Sequence, residues 1–132
     1  MIHIKYKLDR SPLHGIGFFA NEDLEKGQLV YSASPKLDVN ISDREYQSLD
    51  KKEQDEVKYW GFWDKDNQVW HVDFDNSRFI NHSYYPTVTQ DIDHGDAYLV
   101  TTRSVKKGEE ITQNYLEFES LDDLAKRGIS LA

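Results

Sequence analysis

The chain has 132 residues, 30% of them charged, with no cysteine and a net charge of -8. No apolar run approaches the roughly 20 residues of a membrane-spanning helix, and without cysteine neither disulfides nor cysteine-bound zinc can form. We expect one soluble domain over residues 1–132, in a reducing, cytoplasmic setting and without membrane contact. The charge disfavours direct binding to nucleic acid and favours basic partners, although ordinary solubility explains it equally well.

Short strand-like runs account for much of the chain. Alternating, β-branched and aromatic residues predict strands at 2–8, 28–31, 68–74 and 96–102. The first run lacks the basic start, apolar centre and cleavage site of a signal peptide, so we expect an edge strand there. Clusters of Gly, Asp and Asn separate the runs, which is typical of turns.

Three helices are predicted from their capping residues. Ser42 and Asp50 are each followed three positions later by Glu, so two helices with capping boxes are expected between residues 42 and 59. A third helix is expected after Ser120, because acidic residues fill its first turn and basic residues its last. Gly128 can terminate this helix.

The pattern apolar-x-Lys-Gly-x-x-apolar occurs twice, around Gly27 and around Gly108. Each glycine can adopt a positive φ at little steric cost, so both segments are predicted to be turns that lead into strands. Two such copies indicate recurring turn chemistry and not a solenoid repeat.

The segment at 15–20 reads Gly-Ile-Gly-Phe-Phe-Ala and formally matches a dinucleotide-binding fingerprint. Its context argues against that function, because Pro12 precedes it where a buried strand is required and the turn at Gly27 follows too soon for a full helix. A plain structural loop remains an alternative. We favour a third interpretation, in which the two glycines let the backbone at 16–18 lie close against a small ligand.

The segment at 78–86 is rich in polar chemistry for a connection, and it reads Arg-Phe-Ile-Asn-His-Ser-Tyr-Tyr-Pro. Asn81 offers both a donor and an acceptor, which suit the amino and carboxylate ends of an amino-acid-like ligand. His82 can use its ring or its backbone nitrogen. A buried polar loop with satisfied hydrogen bonds explains the same residues, so both interpretations stay open at this point.

Residues 78–83 resemble the Arg-Phe-x-Asn-His-Ser motif of the SET-domain protein lysine methyltransferases. The loop at 15–20 resembles the Gly-x-Gly motif of that family, and Lys-Gly-Glu-Glu-Ile-Thr-Gln-Asn-Tyr at 107–115 resembles its C-terminal motif. Order and spacing agree over residues 9–118. The resemblance implies a mainly β fold with short helices (α+β), a SET-type β-clip of small sheets with a C-terminal pseudoknot. Residues 119–132 are then a helical flank that closes the site.

The resemblance also implies an activity, the transfer of a methyl group from S-adenosyl-L-methionine to lysine side chains of a basic protein or peptide. Cofactor contacts are implied for Ile16, Gly17, Phe18, Asn81, His82 and Tyr115. Tyr115 is implied to be the catalytic tyrosine. We expect walls of the lysine channel from Tyr59, Tyr85 and Phe118, and no metal ligand is required.

The chain departs from the family pattern close to these residues. Tyr84 and Thr87 stand where the family often has Cys and Asn, and without a cysteine-bound zinc another segment must close the channel; residues 116–127 are the candidate. Gln113 and Asn114 replace the usual Phe and Asp, which removes an aromatic ring and a negative charge from beside the catalytic tyrosine.

Two other functions remain open on the residues alone. The altered pair before Tyr115 favours a non-catalytic SET-like module that binds a partner peptide. A metal-binding β protein is the other, with ligands from His71, Asp73 and Asp75 on one strand face, joined by His82 or His94. Alternating polar residues on a strand more often form its solvated face.

Overall fold

The computed structural model describes residues 1–91, 93 and 95–131, with the backbone alone at 95–97. Over these residues the prediction of a mainly β fold with short helices is confirmed. The strands are β1 (Tyr6–Arg10), β2 (Ile16–Ala20), β3 (Leu29–Ser32), β4 (Val39–Ser42), β5 (Phe62–Asp64), β6 (Val69–Val72), β7 (Asn81–His82), β8 (Val88–Asp91), β9 (Gly95–Thr101) and β10 (Glu110–Gln113). The helices are α1 (Asp43–Ser48), α2 (Lys51–Trp60) and α3 (Leu121–Lys126). None of the helices in the described part of the chain has the length and apolar character to cross a membrane.

The described strands form three small sheets, ordered β1-β2-β10-β7, β3-β9-β8 and β4-β6-β5. In the first sheet, β10 pairs with β2 in antiparallel fashion and with β7 in parallel fashion. The C-terminal motif therefore lies between the glycine loop and the central segment, as a C-terminal pseudoknot requires.

The two Lys-Gly turns lie side by side. Gly27 and Gly108 have φ values of +78° and +94°, as the sequence predicts. Leu24 and Val105, which precede them, exchange backbone hydrogen bonds of 2.7 and 2.9 Å. Both side chains are almost fully buried, so the paired turns are part of the main core.

The N-terminal residues contact the edges of two sheets, first along β3 and then along β2. Ile2 bridges to Tyr31, and His3 N donates to Val30 O at 2.8 Å, so the first residues lie along β3. The strand proper begins at Tyr6, on the edge of β2. The predicted strand at 2–8 is thus divided, because the chain crosses from one sheet to the other between these contacts.

The predicted capping boxes are present at both central helices. Ser42 and Asp50 accept hydrogen bonds from the backbone of Glu45 and Glu53, whose side chains bind back to the cap backbones. The third helix begins after Ser120, as predicted. Helix α1 and helix α2 pack on the β4-β6-β5 sheet around the buried side chains of Tyr46, Val57 and Trp70.

The main core lies between the other two sheets. Phe18, Val88 and Ile111 are fully buried there, one from each of β2, β8 and β10. Each such side chain contributes roughly 1.5–3 kcal/mol through burial. This packing fixes β2 and β10, which carry two of the three motifs, against β8.

Candidate active site

Parts of all three sequence motifs line a cavity of about 1040 Å³. The glycine loop contributes Gly15 and Ile16, the central segment contributes Asn81 and His82, and the C-terminal motif contributes Tyr115. Ligand pockets span about 300–1,000 Å³, so this volume suits a cofactor together with an inserted side chain. Strand β10 assembles the site by bringing β2 and β7 together.

The glycine loop reaches the cavity through its first residues. Ile16 lies on the wall with its side chain 51% exposed, whereas Phe18 is fully buried in the core. Gly17 does not line the cavity; a Cβ there would come within 2.9 Å of Glu110 Oε2 and of Ser11 Cβ. Of the predicted ligand-facing backbone, the structure therefore brings Ile16 to the cavity, while Gly17 makes room for Glu110.

Glu110 joins the glycine loop to the central segment. Its carboxylate accepts hydrogen bonds from Ser11 Oγ at 2.7 Å and from Asn81 Nδ2 at 3.2 Å. Asn81 Nδ2 also lies 2.9 Å from the carbonyl oxygen of His14 and 3.3 Å from that of Ile16. Sequence reasoning gave Glu110 no role, because its partners are 29 and 99 residues away along the chain.

His82 presents an unused donor. Its Nδ1 accepts a hydrogen bond from the backbone N–H of Tyr115 at 3.1 Å, so the hydrogen of the neutral ring lies on Nε2. That Nε2 atom is buried and has no hydrogen-bond partner among the described residues. Burial lowers the pKa of His82, so the ring is neutral near pH 7. A buried N–H without a partner is costly, and a bound acceptor removes that cost.

Tyr115 is held in place at its hydroxyl. The O–H donates to the carbonyl oxygen of Ile80 at 2.6 Å. Burial raises the pKa of this phenol to about 12, with Arg127 acting in the opposite direction and Glu119 and Glu110 adding to the rise. The hydroxyl is therefore neutral at physiological pH, with its oxygen lone pairs available to a ligand.

Aromatic side chains line the cavity near Tyr115. The ring centroid of Phe118 lies 5.5 Å from that of Tyr115 and 4.7 Å from that of Phe62. Tyr59 also lines the cavity, although its side chain is 69% exposed.

Tyr85 does not fit the predicted channel. Its side chain is 91% exposed and does not line the cavity. The backbone explains this position, since Tyr85 N donates to Ser83 Oγ at 3.0 Å in the turn that follows β7. Its neighbour Tyr84 instead packs edge-on against His82, with ring centroids 4.6 Å apart.

The two residues that depart from the family pattern have local partners. Gln113 lines the cavity and donates from Nε2 to Glu117 Oε2 at 3.0 Å. Glu117 also accepts a hydrogen bond from the Thr89 hydroxyl. Asn114 caps the following turn by accepting from Leu116 N at 3.0 Å. A polar network thus stands where the family pattern has an aromatic ring.

The C-terminal flank contributes another wall. Phe118 and residues 127–131 line the cavity, and helix α3 between them does not. The segment that we expect to close the channel, 116–127, therefore contacts the cavity at its two ends and continues into 128–131.

The group of side chains that could hold a metal ion differs in its residues from the predicted one. Asp75 is not a ligand candidate, because its Oδ1 caps the turn at 76–79 by accepting from Ser77 N at 3.1 Å and Ser77 Oγ at 2.6 Å. The ligand atoms of His71 and Asp73 lie instead within 4.8 Å of those of Asp38. His82 belongs to the cavity, and His94 lies outside the described residues.

A protonated His71 satisfies this cluster without a metal ion. Its Nε2 lies 3.1 Å from Asp73 Oδ1 and 3.5 Å from Asp38 Oδ2. Its Nδ1 lies 2.8 Å from Asn40 Oδ1. Burial lowers the pKa of His71, but the two carboxylates outweigh burial and raise it overall. With His71 protonated, the contacts of this cluster form an ion-pair network.

Solved structures with the same fold include a protein assigned as a histone methyltransferase and chains of Polycomb Repressive Complex 2. A Plasmodium falciparum protein assigned as a histone methyltransferase has a TM-score of 0.58 and 18% identity, over 86% of this chain and 95% of that chain. A humanized mutant of Chaetomium thermophilum Polycomb Repressive Complex 2, bound to an inhibitor, has a TM-score of 0.66 and 25% identity over 92% of this chain. An apo form of ctPRC2 with two Ezh2 substitutions has a TM-score of 0.67 and 26% identity over 94% of this chain. This chain spans 16% of the length of each of the last two chains.

The sequence itself matches a family model. The model for the SET domain matches residues 15–116, a span that contains all three motifs and the strands that carry them. No curated protein matches the chain. The match covers well over half of the residues, and the three motifs meet at one cavity as the family resemblance implies. The chain belongs to the SET-domain family.

Proposed function

We propose that this protein is an S-adenosylmethionine-dependent methyltransferase that acts on lysine side chains of a protein substrate. The observation that carries the proposal is the buried, unpartnered Nε2–H of His82, which shares one cavity with the neutral hydroxyl of Tyr115. Within the described part of the chain the His82 N–H lacks an acceptor, which a ligand can supply, and the Tyr115 oxygen has lone pairs that can accept from a second ligand. Membership of the SET-domain family supports the same activity.

The cavity wall fits the cofactor chemically. His82 Nε2 offers a donor to an acceptor of the nucleoside or amino-acid portion, and Ile16 offers exposed apolar surface. The neutral state of His82 avoids repulsion with a cationic ligand, because burial lowers its pKa. When bound, S-adenosylmethionine supplies a methyl group on a positively charged sulfur. Ile16, Asn81 and His82 are the residues that we propose to hold it.

Tyr115 is proposed to position the lysine amine. Its proton is committed to Ile80 O, so its oxygen can accept a hydrogen bond from the amine. A phenol with a pKa of about 12 stays neutral and acts through its dipole, not as a base. The amine must itself be neutral to react, and removal from water lowers its usual pKa of ~10.4. Phe118 beside Tyr115 provides the apolar surface for that desolvation.

The charge of the chain supports a basic substrate. A net charge of -8 attracts lysine-rich peptides and repels nucleic acid. We therefore propose a basic, lysine-containing protein or peptide as the partner, met in the cytoplasm.

The first test is methyl transfer by Tyr115→Phe. The variant should bind S-adenosylhomocysteine with nearly wild-type affinity in calorimetry, because the phenol hydroxyl bonds to Ile80 and not to His82. Transfer of labelled methyl to a panel of basic proteins should fall by about 100-fold or more, as for loss of a preorganised polar group.

Tyr85→Phe is the matched control, since its 91% exposed side chain loses the same oxygen away from the cavity. Turnover by Tyr115→Phe at the Tyr85→Phe rate would remove Tyr115 from its assigned role. A wild-type protein that does not bind S-adenosylhomocysteine at millimolar concentration would defeat the proposed activity itself.

A second function is favoured by one observation, the polar side chain of Gln113 at the cavity wall, whose Nε2 donates to Glu117 Oε2 at 3.0 Å. A basic peptide can bind in a cavity with this polar wall without any reaction. This alternative predicts binding of basic peptides with no methyl transfer under any condition. Transfer that depends on Tyr115 excludes it.

A further inference from the structure

Arg127 is the centre of a buried hydrogen-bond group just after α3. Its Nε donates to Glu119 Oε2 at 3.0 Å, and its Nη2 donates to the other oxygen of the same carboxylate. Its Nη1 donates to the carbonyl oxygen of Lys58 at 3.2 Å and to that of Gly61. The Arg127 side chain is 7% exposed and that of Glu119 is 0% exposed. A single guanidinium thus ties the C-terminal flank to the end of α2.

The chain turns directly after Arg127. Gly128 has a φ of +79°, and its N–H donates to Ala125 O at 3.0 Å. Ile129 N donates to Leu124 O at 2.9 Å, which completes a Schellman motif. The turn directs residues 129–131 onto the cavity wall. Their position therefore depends on where Arg127 is anchored.

Glu119 connects this anchor to the proposed catalytic residue. Its backbone N–H donates to Tyr115 O at 3.0 Å. The preceding residue, Phe118, places its ring between those of Tyr115 and Phe62. Neither charged group of the pair bonds to the Tyr115 hydroxyl, whose partner is Ile80.

We propose that the Arg127–Glu119 pair is a latch that positions residues 128–131 as a wall of the cavity and thereby sets the affinity for the cofactor. This inference rests on the proposed function. Both residues are positioning residues, because they act through the wall that they hold. A bidentate pair fixes the distance and the orientation of its two chain segments, and a fixed wall binds a ligand more tightly than one that must be ordered on binding.

The test distinguishes an effect of the latch on cofactor affinity from an effect on the stability of the fold. The double variant Arg127→Met, Glu119→Leu removes both buried charges together, a change that folded proteins commonly tolerate. We expect it to remain folded, with a urea midpoint lowered only by the lost hydrogen bonds to Lys58 O and Gly61 O, whereas the Kd for S-adenosylhomocysteine rises by about tenfold or more. The KM for S-adenosylmethionine should rise with it, while kcat at saturation stays within about twofold.

Lys126→Met is the matched control. Its side chain is 73% exposed and pairs with Asp123 at 3.7 Å on the same helix. It should leave the Kd for S-adenosylhomocysteine unchanged. A folded double variant that binds S-adenosylhomocysteine like the wild type would overturn the latch and leave the proposed function standing. A rise confined to the KM of the peptide would also overturn it, whereas a wild type unable to bind S-adenosylhomocysteine rejects the proposed function.

A measurement on the wild type covers the case in which the double variant fails to fold. Saturating S-adenosylhomocysteine should slow the hydrogen exchange of the amides at 128–131, because the bound ligand covers that wall. Exchange there that is unaffected by a ligand that protects Asn81 and His82 would contradict the latch.

Discussion

Gly17 provides the space in which Glu110 meets the glycine loop. A Cβ at this position would lie 2.9 Å from Glu110 Oε2 and from Ser11 Cβ. Glu110 also accepts a hydrogen bond from Asn81, whose amide fixes the loop carbonyls beside the cavity. Gly17 does not line the cavity, but through Glu110 it affects the position of Asn81, which does.

Gly17→Ala is expected to lower the free energy of unfolding by about 1–3 kcal/mol, because overpacking displaces Glu110 and the backbone of β2. The displacement should also weaken binding of S-adenosylhomocysteine through Asn81. Urea unfolding and calorimetry measure the two effects.

The control for this change is the same substitution in a Glu110→Ala background. There the cost of Gly17→Ala should fall by about 1 kcal/mol, since contacting residues show coupling of this size. Equal costs in the two backgrounds would show that the close contact with Glu110 does not restrict position 17.

At the scale of elements, a network of charges ties β6 to β4 and to the segment before it. His71 on β6 faces Asp38 before β4, Asn40 within β4, and Asp73 just after β6. Asp38 also accepts a hydrogen bond from Ser34 N at 2.8 Å. The side chains of His71 and Asp38 are only 13% and 1% exposed, so solvent screens their interaction weakly.

This network predicts a pH dependence of stability. Burial lowers the pKa of folded His71, but the carboxylates of Asp73 and Asp38, with a contribution from Asp64, raise it overall above its ordinary value of 6.5. The stabilisation is therefore complete below the unfolded pKa and is lost as the pH rises through the folded pKa. Urea midpoints should fall between about pH 6 and about pH 9.

His71→Gln should reduce the fall of the urea midpoint between these pH values. His3 is exposed, and His3→Gln serves as the control that should leave this fall as it is in the wild type. The comparison between variants also cancels the contribution of His82, whose pKa is shifted in the opposite direction. Parallel profiles for wild type and His71→Gln would show that His71 is not charged in the folded protein.

At the scale of the molecule, local and distant features differ in how far the sequence predicts them. Capping boxes and glycine turns were predictable because each depends on residues three or four positions apart. The contacts that assemble the site were not, since Ser11 meets Glu110 across 99 positions and Arg127 meets Lys58 across 69. Such pairs depend on the topology, and only the family resemblance, through the C-terminal pseudoknot that it implies, indicated that the central and C-terminal motifs meet.

The net charge of the molecule also predicts how the reaction depends on salt. A net charge of -8 should steer basic peptides to the cavity, so the KM for a lysine-rich peptide should rise with ionic strength. Raising the salt concentration from about 0.1 M to about 1 M shortens the Debye length from about 10 Å to about 3 Å, which screens attraction between exposed charges. The Kd for S-adenosylhomocysteine serves as the control, because that ligand carries no net charge and binds within the cavity. A peptide KM as insensitive to salt as this Kd would mean that peptide recognition depends on contacts at the cavity and not on the acidic surface.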